Sequence, residues 1–210
     1  MTRRLGKAYA ALDHPILYWL VTHLLAPGAD QSITNRIRRR LERLPRAERL
    51  LDVGCGPKSW LFRVGLSPVG LDLCEPYVKA YASHGAPAVL GSATELPFCD
   101  GAFDGVWSIA LLHHLPHPVA ADAVGELVRV CRPGGYVAVV DAVYPRSRRA
   151  RPIPHFILSH DRGQFMRTQG QLESLLPDRE HWSIERWTYS LTGLEMLMCA
   201  RIKQTPSFSE

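Results

Sequence analysis

Residues 50–60, reading LLDVGCGPKSW, admit few folds. An apolar run (Leu50, Leu51, Val53) carrying Asp52 passes directly into Gly54, Cys55, Gly56 and Pro57. Buried parallel strands read as short apolar runs, and paired glycines straight after one mark a tight turn where backbone meets a ligand. Pro57 suits the first turn of a helix, where a missing N–H costs nothing. Strand, glycine turn and helix start together make the ligand-binding corner of an α/β sheet.

The rest of the chain fits that corner. A short helix is expected over residues 59–64, a strand over 68–73 (PVGLDL) and a helix over 76–83. A third strand follows at 87–90, then the loop GSATELPF (91–98) and a strong strand at 103–110. Residues 118–131 repeat apolar side chains at helical spacing (Ala120, Val124, Leu127, Val128, Cys131), and Pro133-Gly134-Gly135 stops that helix. The β-branched run 136–143 reads as a buried strand. This alternation means α/β with a mainly parallel sheet. Thr168 to Gln171 form a capping box, and segments 181–190 and 194–202 make an antiparallel hairpin on the sheet edge.

Ahead of the corner, residues 7–26 look helical with a break near Pro15, and Ile33, Ile37, Leu41 and Leu44 mark a second helix. Arg3 and Arg4 before the apolar run 16–21 imitate a signal peptide, but Asp13, His14 and Pro15 stand between them. The run is too short to span a bilayer, so a soluble, cytoplasmic protein is expected. The five cysteines are scattered without a CxxC pair, which argues for reduced thiols over disulfides or zinc. His113 and His117 have metal-like spacing, but Pro116 and Pro118 deny them a continuous helix, and no metal is expected. Net charge is +5, with arginines clustered at 36–49 and 146–151. Either an anionic partner or a solvated arginine-rich helix face accounts for that.

Two ligand classes suit the corner: a dinucleotide or S-adenosylmethionine. A dinucleotide needs a third glycine in GxGxxG so that backbone approaches the pyrophosphate, and here that position is Ser59. Asp52 would repel a pyrophosphate but accepts a hydrogen bond from an ammonium group, which favours a zwitterionic amino acid. Asp72 ends the second strand 20 residues on and suits the two hydroxyls of a ribose, a group both ligand classes carry. The other reading of Asp72 is a helix cap.

The pieces LLDVGCGP, VGLDL, GSATELPF, FDGVWSIALLHHL and RVCRPGGYVAVVD, in this order over residues 50–141, resemble class I S-adenosylmethionine-dependent methyltransferases. More narrowly, they resemble the type 11 group that contains the ubiquinone/menaquinone-biosynthesis enzymes. The resemblance implies a Rossmann-like sheet of seven strands, mostly parallel, with an antiparallel C-terminal hairpin strand, helices on both faces and extra N-terminal helices. It implies one domain over 1–210: a helical cap (1–46), a cofactor-binding core (49–143), and an acceptor-side insert with the hairpin (144–203). It also implies that Asp52, Gly54, Cys55 and Gly56 line the methionine half of the cofactor, that Asp72 holds the ribose, and that Leu73, Ser92, Ala93 and Ile109 complete the site. Ser92 stands where the family usually has Asp, and Lys58 where many members have a third glycine.

Methyl transfer from a sulfonium is an in-line displacement that leaves S-adenosylhomocysteine, and the protein mainly aligns the reactants and excludes water. A base is needed only if the acceptor has a proton to lose. His113, in the LLHHL stretch, is the candidate, its alternative being packing behind the cofactor. No [DNS]PP[YF] signature follows the fourth strand, and no nucleic-acid domain is visible. A small-molecule or lipid-like acceptor, anionic or apolar, is therefore expected, with no nucleic-acid partner. Acceptor contacts are expected from the N-terminal helices and the segment 144–167. With Arg146–Arg151, His155, His160, Asp161, Arg162 and Arg167, that segment reads either as a positive lid over an anionic substrate or as a solvated basic loop. The N-terminal helix is a candidate to cover an apolar substrate or to lie on a membrane surface, as a peripheral membrane contact. A cofactor-binding module without turnover, or an RNA or protein acceptor, are the competing readings. Nothing in the sequence sets the oligomeric state.

Overall fold

The computed structural model describes residues 26–147, 149, 151–159 and 163–204. Among these residues seven strands form one sheet: β1 (Leu50–Val53), β2 (Val69–Asp72), β3 (Ala88–Leu90), β4 (Phe103–Ile109), β5 (Cys131–Val143), β6 (Ser183–Thr188) and β7 (Glu195–Ile202). Their order is β3-β2-β1-β4-β5-β7-β6. The first five run parallel, and β7 pairs antiparallel with both β5 and β6. The mostly parallel sheet with an antiparallel C-terminal hairpin is thus the one expected. Strand order reverses between β1 and β4, which opens a crevice beyond their C-terminal ends.

Strict alternation fills both faces of the sheet. Leu51, Val106, Val137, Val139, Leu197 and Cys199 share one core with Ala120, Val124 and Leu127 of α3 (His117–Val130) and Leu172 of α5 (Gln169–Glu173). The intervening residues Leu50, Trp107, Tyr136, Ala138, Val140 and Met198 pack on the opposite face against Ile33 and Ile37 of α1 (Ala29–Leu41). Helix α2 (Glu75–Ala82) flanks β2 and β3. The Thr168 capping box is present in full. No helix among the described residues is long and apolar enough to cross a membrane.

One expectation falls outside the described residues and two meet a different outcome. The helix over 7–26 lies outside the described residues, apart from Ala26, so the N-terminal cap is represented by α1 alone. Residues 131–135 belong to β5 rather than to a helix stop, because Gly135 brings its backbone where a Cβ would stand 2.5 Å from the Asp104 carbonyl. Lys203 then donates from Nζ to the carbonyls of Val128 and Cys131, satisfying the end of α3. Finally, the acceptor-side segment 144–167, for which no helix is expected from the sequence, contains helix α4 (Pro152–Ser159), with Pro154 and Leu158 buried. Both prolines fall in its first turn, where the N–H they lack has no intrahelical partner.

Candidate functional site

The corner after β1 is built by backbone conformations open to few residue types. Gly54 and Gly56 have φ of 71° and 60°. A Cβ on Gly54 would lie 2.8 Å from the Leu111 side chain, so this glycine lets the β1 turn and the β4 turn touch. A Cβ on Gly56 would meet nothing within 4 Å, which leaves open space beside the turn. The Gly54 and Cys55 N–H groups both donate to the Leu71 carbonyl, locking the turn onto β2. The Cys55 side chain packs away with Tyr81 and Ala86, and burial pushes its thiol up, so only its backbone belongs to the turn.

Asp52 is buried, and Ser59 Oγ donates to its Oδ2 at 2.5 Å. The Asp52 Oδ1 is buried with no hydrogen-bond partner. Burial pushes the Asp52 carboxyl up to about 7; the Ser59 bond opposes the rise and the charge of Asp72 adds to it. Ser59 also accepts from the Leu61 N–H at 3.0 Å and so caps the 3-10 helix Trp60–Val64. The residue that breaks the dinucleotide fingerprint is therefore the partner of the corner's carboxylate.

On the other side of the corner, Asp72 accepts from the Gly56 N–H at 3.0 Å and the Cys74 N–H at 2.9 Å. It ties the glycine turn to the end of β2, and it does not cap α2, whose N-cap position is Cys74. Leu73, an apolar side chain 76% exposed, stands beside it. The Ser92 hydroxyl pairs with that of Thr94 at 2.8 Å and accepts the Thr94 N–H, so it shapes its own loop, while Ala93 packs against the core. The loop 91–98 is held from α3: Glu126 accepts the Leu96 N–H, and Arg129 donates to the carbonyls of Leu96 and Phe98.

At the end of β4, Ile109 is part of the core facing α1 and Ala110 takes φ 59°, a strained value for a side-chain-bearing residue. The turn that follows, a 3-10 helix Leu112–His114, presents His113. Its Nδ1 lies 2.5 Å from Asp141 Oδ1, and its backbone N–H donates to Asp141 Oδ2. Asp141, near the C-terminal end of β5, is 1% exposed. Arg167 does not project over a substrate. It is buried, its guanidinium donating to the carbonyls of Leu112 and Leu115, and burial lowers its pKa. Arg151 pairs with Glu195, and His155 stacks on Tyr144. Residues 160–162 lie outside the described residues.

A cavity of about 460 Å³ joins these elements. Lys58, Ser59 and Trp60 wall it on the cofactor side, Ala110 and His113 at the sheet, and Ile33, Ile157, Leu158, Leu194 and Met196 elsewhere. Among the described residues, the 144–167 segment gives the cavity the apolar side chains of Ile157, Leu158 and Met166 and no arginine. Sequence reasoning passed over Asp141, although a lone carboxylate inside an apolar strand is a signal in itself. The walls from α4 and β7 carried no local signal.

These features fit S-adenosylmethionine. The unpartnered Asp52 Oδ1 suits an ammonium, the space beside Gly56 admits a ligand against the turn, and exposed Leu73 offers a surface for a base. A model of the methyltransferase-domain family matches residues 51–139. The chain is 38% identical over 104 residues to the tRNA (carboxymethyluridine(34)-5-O)-methyltransferase of Arabidopsis thaliana, an alignment covering 47% of this chain and 25% of that protein. It is 31% identical over 136 residues to the 27-O-demethylrifamycin SV methyltransferase of Amycolatopsis mediterranei, covering 59% and 49%. The chain therefore spans half or less of the length of these relatives. Among solved structures, a SAM-dependent methyltransferase from Thermotoga maritima shares the fold with a TM-score of 0.68 at 15% identity, covering 93% of this chain and 100% of that one. Family match, sheet order and corner geometry fall on the same residues, from β1 to β5: residues 51–139 match the methyltransferase-domain family, in a fold shared with a solved SAM-dependent methyltransferase.

Proposed function

We propose that the protein transfers the methyl group of S-adenosylmethionine to a small, largely apolar acceptor held in the 460 Å³ cavity. The observation that carries this reading is that Lys58 and Ser59 of the cofactor turn also wall a cavity otherwise lined mainly by aliphatic and aromatic side chains. Such a lining with a few polar groups is typical of small-molecule sites. When bound, the cofactor supplies an activated methyl whose transfer leaves S-adenosylhomocysteine. The chain's part is to hold both reactants in line and exclude water.

In this reading Asp52 Oδ1 receives the ammonium group, with the backbone of Gly54, Cys55 and Gly56 against the methionine half. Asp72, fixed by two backbone donors, keeps further lone pairs for the ribose hydroxyls. Leu73, Ala93 and the Ser92 loop border the base, and Ile109 supports the floor from the core. Calorimetry tests the assignment: wild type binds S-adenosylhomocysteine, and Asp72→Ala weakens binding at least tenfold with the far-UV spectrum unchanged. Unchanged affinity would remove Asp72 from the site. For the acceptor, labelled cofactor is offered to small-molecule extract and to total tRNA separately. Label in the small-molecule fraction is expected. Label confined to tRNA would replace this reading with the activity named for the Arabidopsis relative.

A further inference from the structure

We propose that Lys58 selects the acceptor by holding a carboxylate carried on its otherwise apolar body. This rests on the methyl-transfer reading above. Among the described residues, the other charged groups on the cavity wall are already compensated. Arg63 pairs with Asp30 at 2.8 Å, and its guanidinium lies over the Trp60 ring at 5.1 Å from the centroid, so cation and anion cancel there. His113 faces the Asp141 carboxylate, and the Ser59 hydroxyl is engaged by Asp52. Lys58 lines the same cavity and is exposed, so it stands where the cavity opens to solvent. Its side chain has no ion-pair or hydrogen-bond partner among the described residues. A lysine ammonium offers three donors and a full positive charge at neutral pH.

The chain also fixes where this charge sits. Pro57 before Lys58 has its φ set by the pyrrolidine ring. Ser59 after it is tied twice, donating to Asp52 and accepting the Leu61 N–H. The Gly56 N–H is bound to Asp72. Lys58 therefore leaves a rigid turn, and it leaves on the acceptor side: none of Gly54, Gly56, Asp72 and Leu73 lines the cavity that Lys58 lines. Most of the wall, including Ile33, Ile157, Leu158, Leu194 and Met196, offers apolar surface for burial. A cationic acceptor would be repelled by Lys58, and a neutral one gains nothing from it. An apolar molecule with one carboxylate matches both the wall and the charge. One ammonium balances one negative charge, which a carboxylate carries and a phosphate monoester exceeds at neutral pH. Opposite charge at an opening also favours entry of the matching ligand.

The test measures binding of decanoate, decanamide and decylamine, three probes with one apolar body, by calorimetry in the presence of S-adenosylhomocysteine. Wild type, Lys58→Gln and Lys58→Arg are compared. Wild type should bind decanoate about tenfold more tightly than decanamide, and decylamine most weakly. That preference should shrink as salt rises, as expected of a charge pair open to solvent. Lys58→Gln should bind acid and amide alike, with amide affinity, Tm and S-adenosylhomocysteine affinity as in wild type, whereas Lys58→Arg should keep the preference for the acid. Equal affinity of wild type for acid and amide, no binding of the acid, or an acid preference that survives in Lys58→Gln would each overturn the proposal. Tighter binding of decyl phosphate than of decanoate would overturn the carboxylate. A loss of S-adenosylhomocysteine affinity in Lys58→Gln with the acid preference intact would assign the lysine to the cofactor's own carboxylate and overturn its role toward the acceptor. Absence of S-adenosylhomocysteine binding by wild type would instead overturn the methyl-transfer reading itself.

Discussion

Asp52 is a carboxylate whose chemistry differs sharply between the unfolded chain and the site. An ordinary carboxyl titrates near 3.8, and burial raises this one to about 7. Between those values the folded protein holds a proton that the unfolded chain has lost, so stability falls as pH rises through that window and is level above it. An ammonium beside Asp52 reverses the preference. S-adenosylhomocysteine should therefore bind about tenfold more weakly at pH 6 than at pH 8, releasing close to one proton at pH 6 and none at pH 8. Calorimetry in buffers of different ionisation heat measures both quantities, and Asp52→Asn should flatten the dependence. An affinity independent of pH would separate Asp52 from the ammonium. The sequence identified Asp52 and Gly54 because a strand, a tight turn and a carboxylate are adjacent in the chain. It registered Ser59 only as a missing glycine, since its bond to Asp52 exists only once the turn has closed.

Among the elements, the loop 91–98 depends on a helix that is distant in sequence. Arg129 of α3 carries two of its carbonyls and is itself oriented by Glu126 and Asp100. Arg129→Ala should cost about 1–3 kcal/mol in urea unfolding and weaken S-adenosylhomocysteine binding severalfold by loosening the loop around Ser92 and Ala93. A stability loss without any change in affinity would place the loop outside the cofactor site. Helix α4 shows the limit of pattern reading at this scale. Its sequence sets two prolines beside an arginine-rich flank with no helical period, yet both prolines fall where a helix tolerates them. Ile157 and Leu158 face a cluster with Ala142, Leu194 and Met166, residues outside the helix, and the cavity that borders it.

For the whole molecule, the sheet order collects the site at one crevice, so a ligand there engages turns after β1, β2, β3 and β4 together. S-adenosylhomocysteine at about 100 times its Kd should add about 2.7 kcal/mol. For a chain of this size that raises Tm by about 5–10 °C in a thermal scan. NAD at the same concentration should leave Tm in place, because the corner offers a carboxylate where a pyrophosphate would sit. A shift with NAD alone would return the corner to the dinucleotide class.

The sequence by itself determined the strand alternation, the cofactor corner and the antiparallel end of the sheet. Each is written in neighbouring residues: short continuous apolar runs, paired glycines straight after a strand, an Asp at a strand end. The tertiary structure decided the rest. His113 meets Asp141 across 28 residues, Arg129 reaches a loop more than 30 residues away, and the cavity takes its walls from α1, the β1 turn, α4 and β7. Contacts of that kind leave no period and no motif in the chain, because what brings them together is the packing of a parallel sheet whose neighbours in space are not neighbours in sequence.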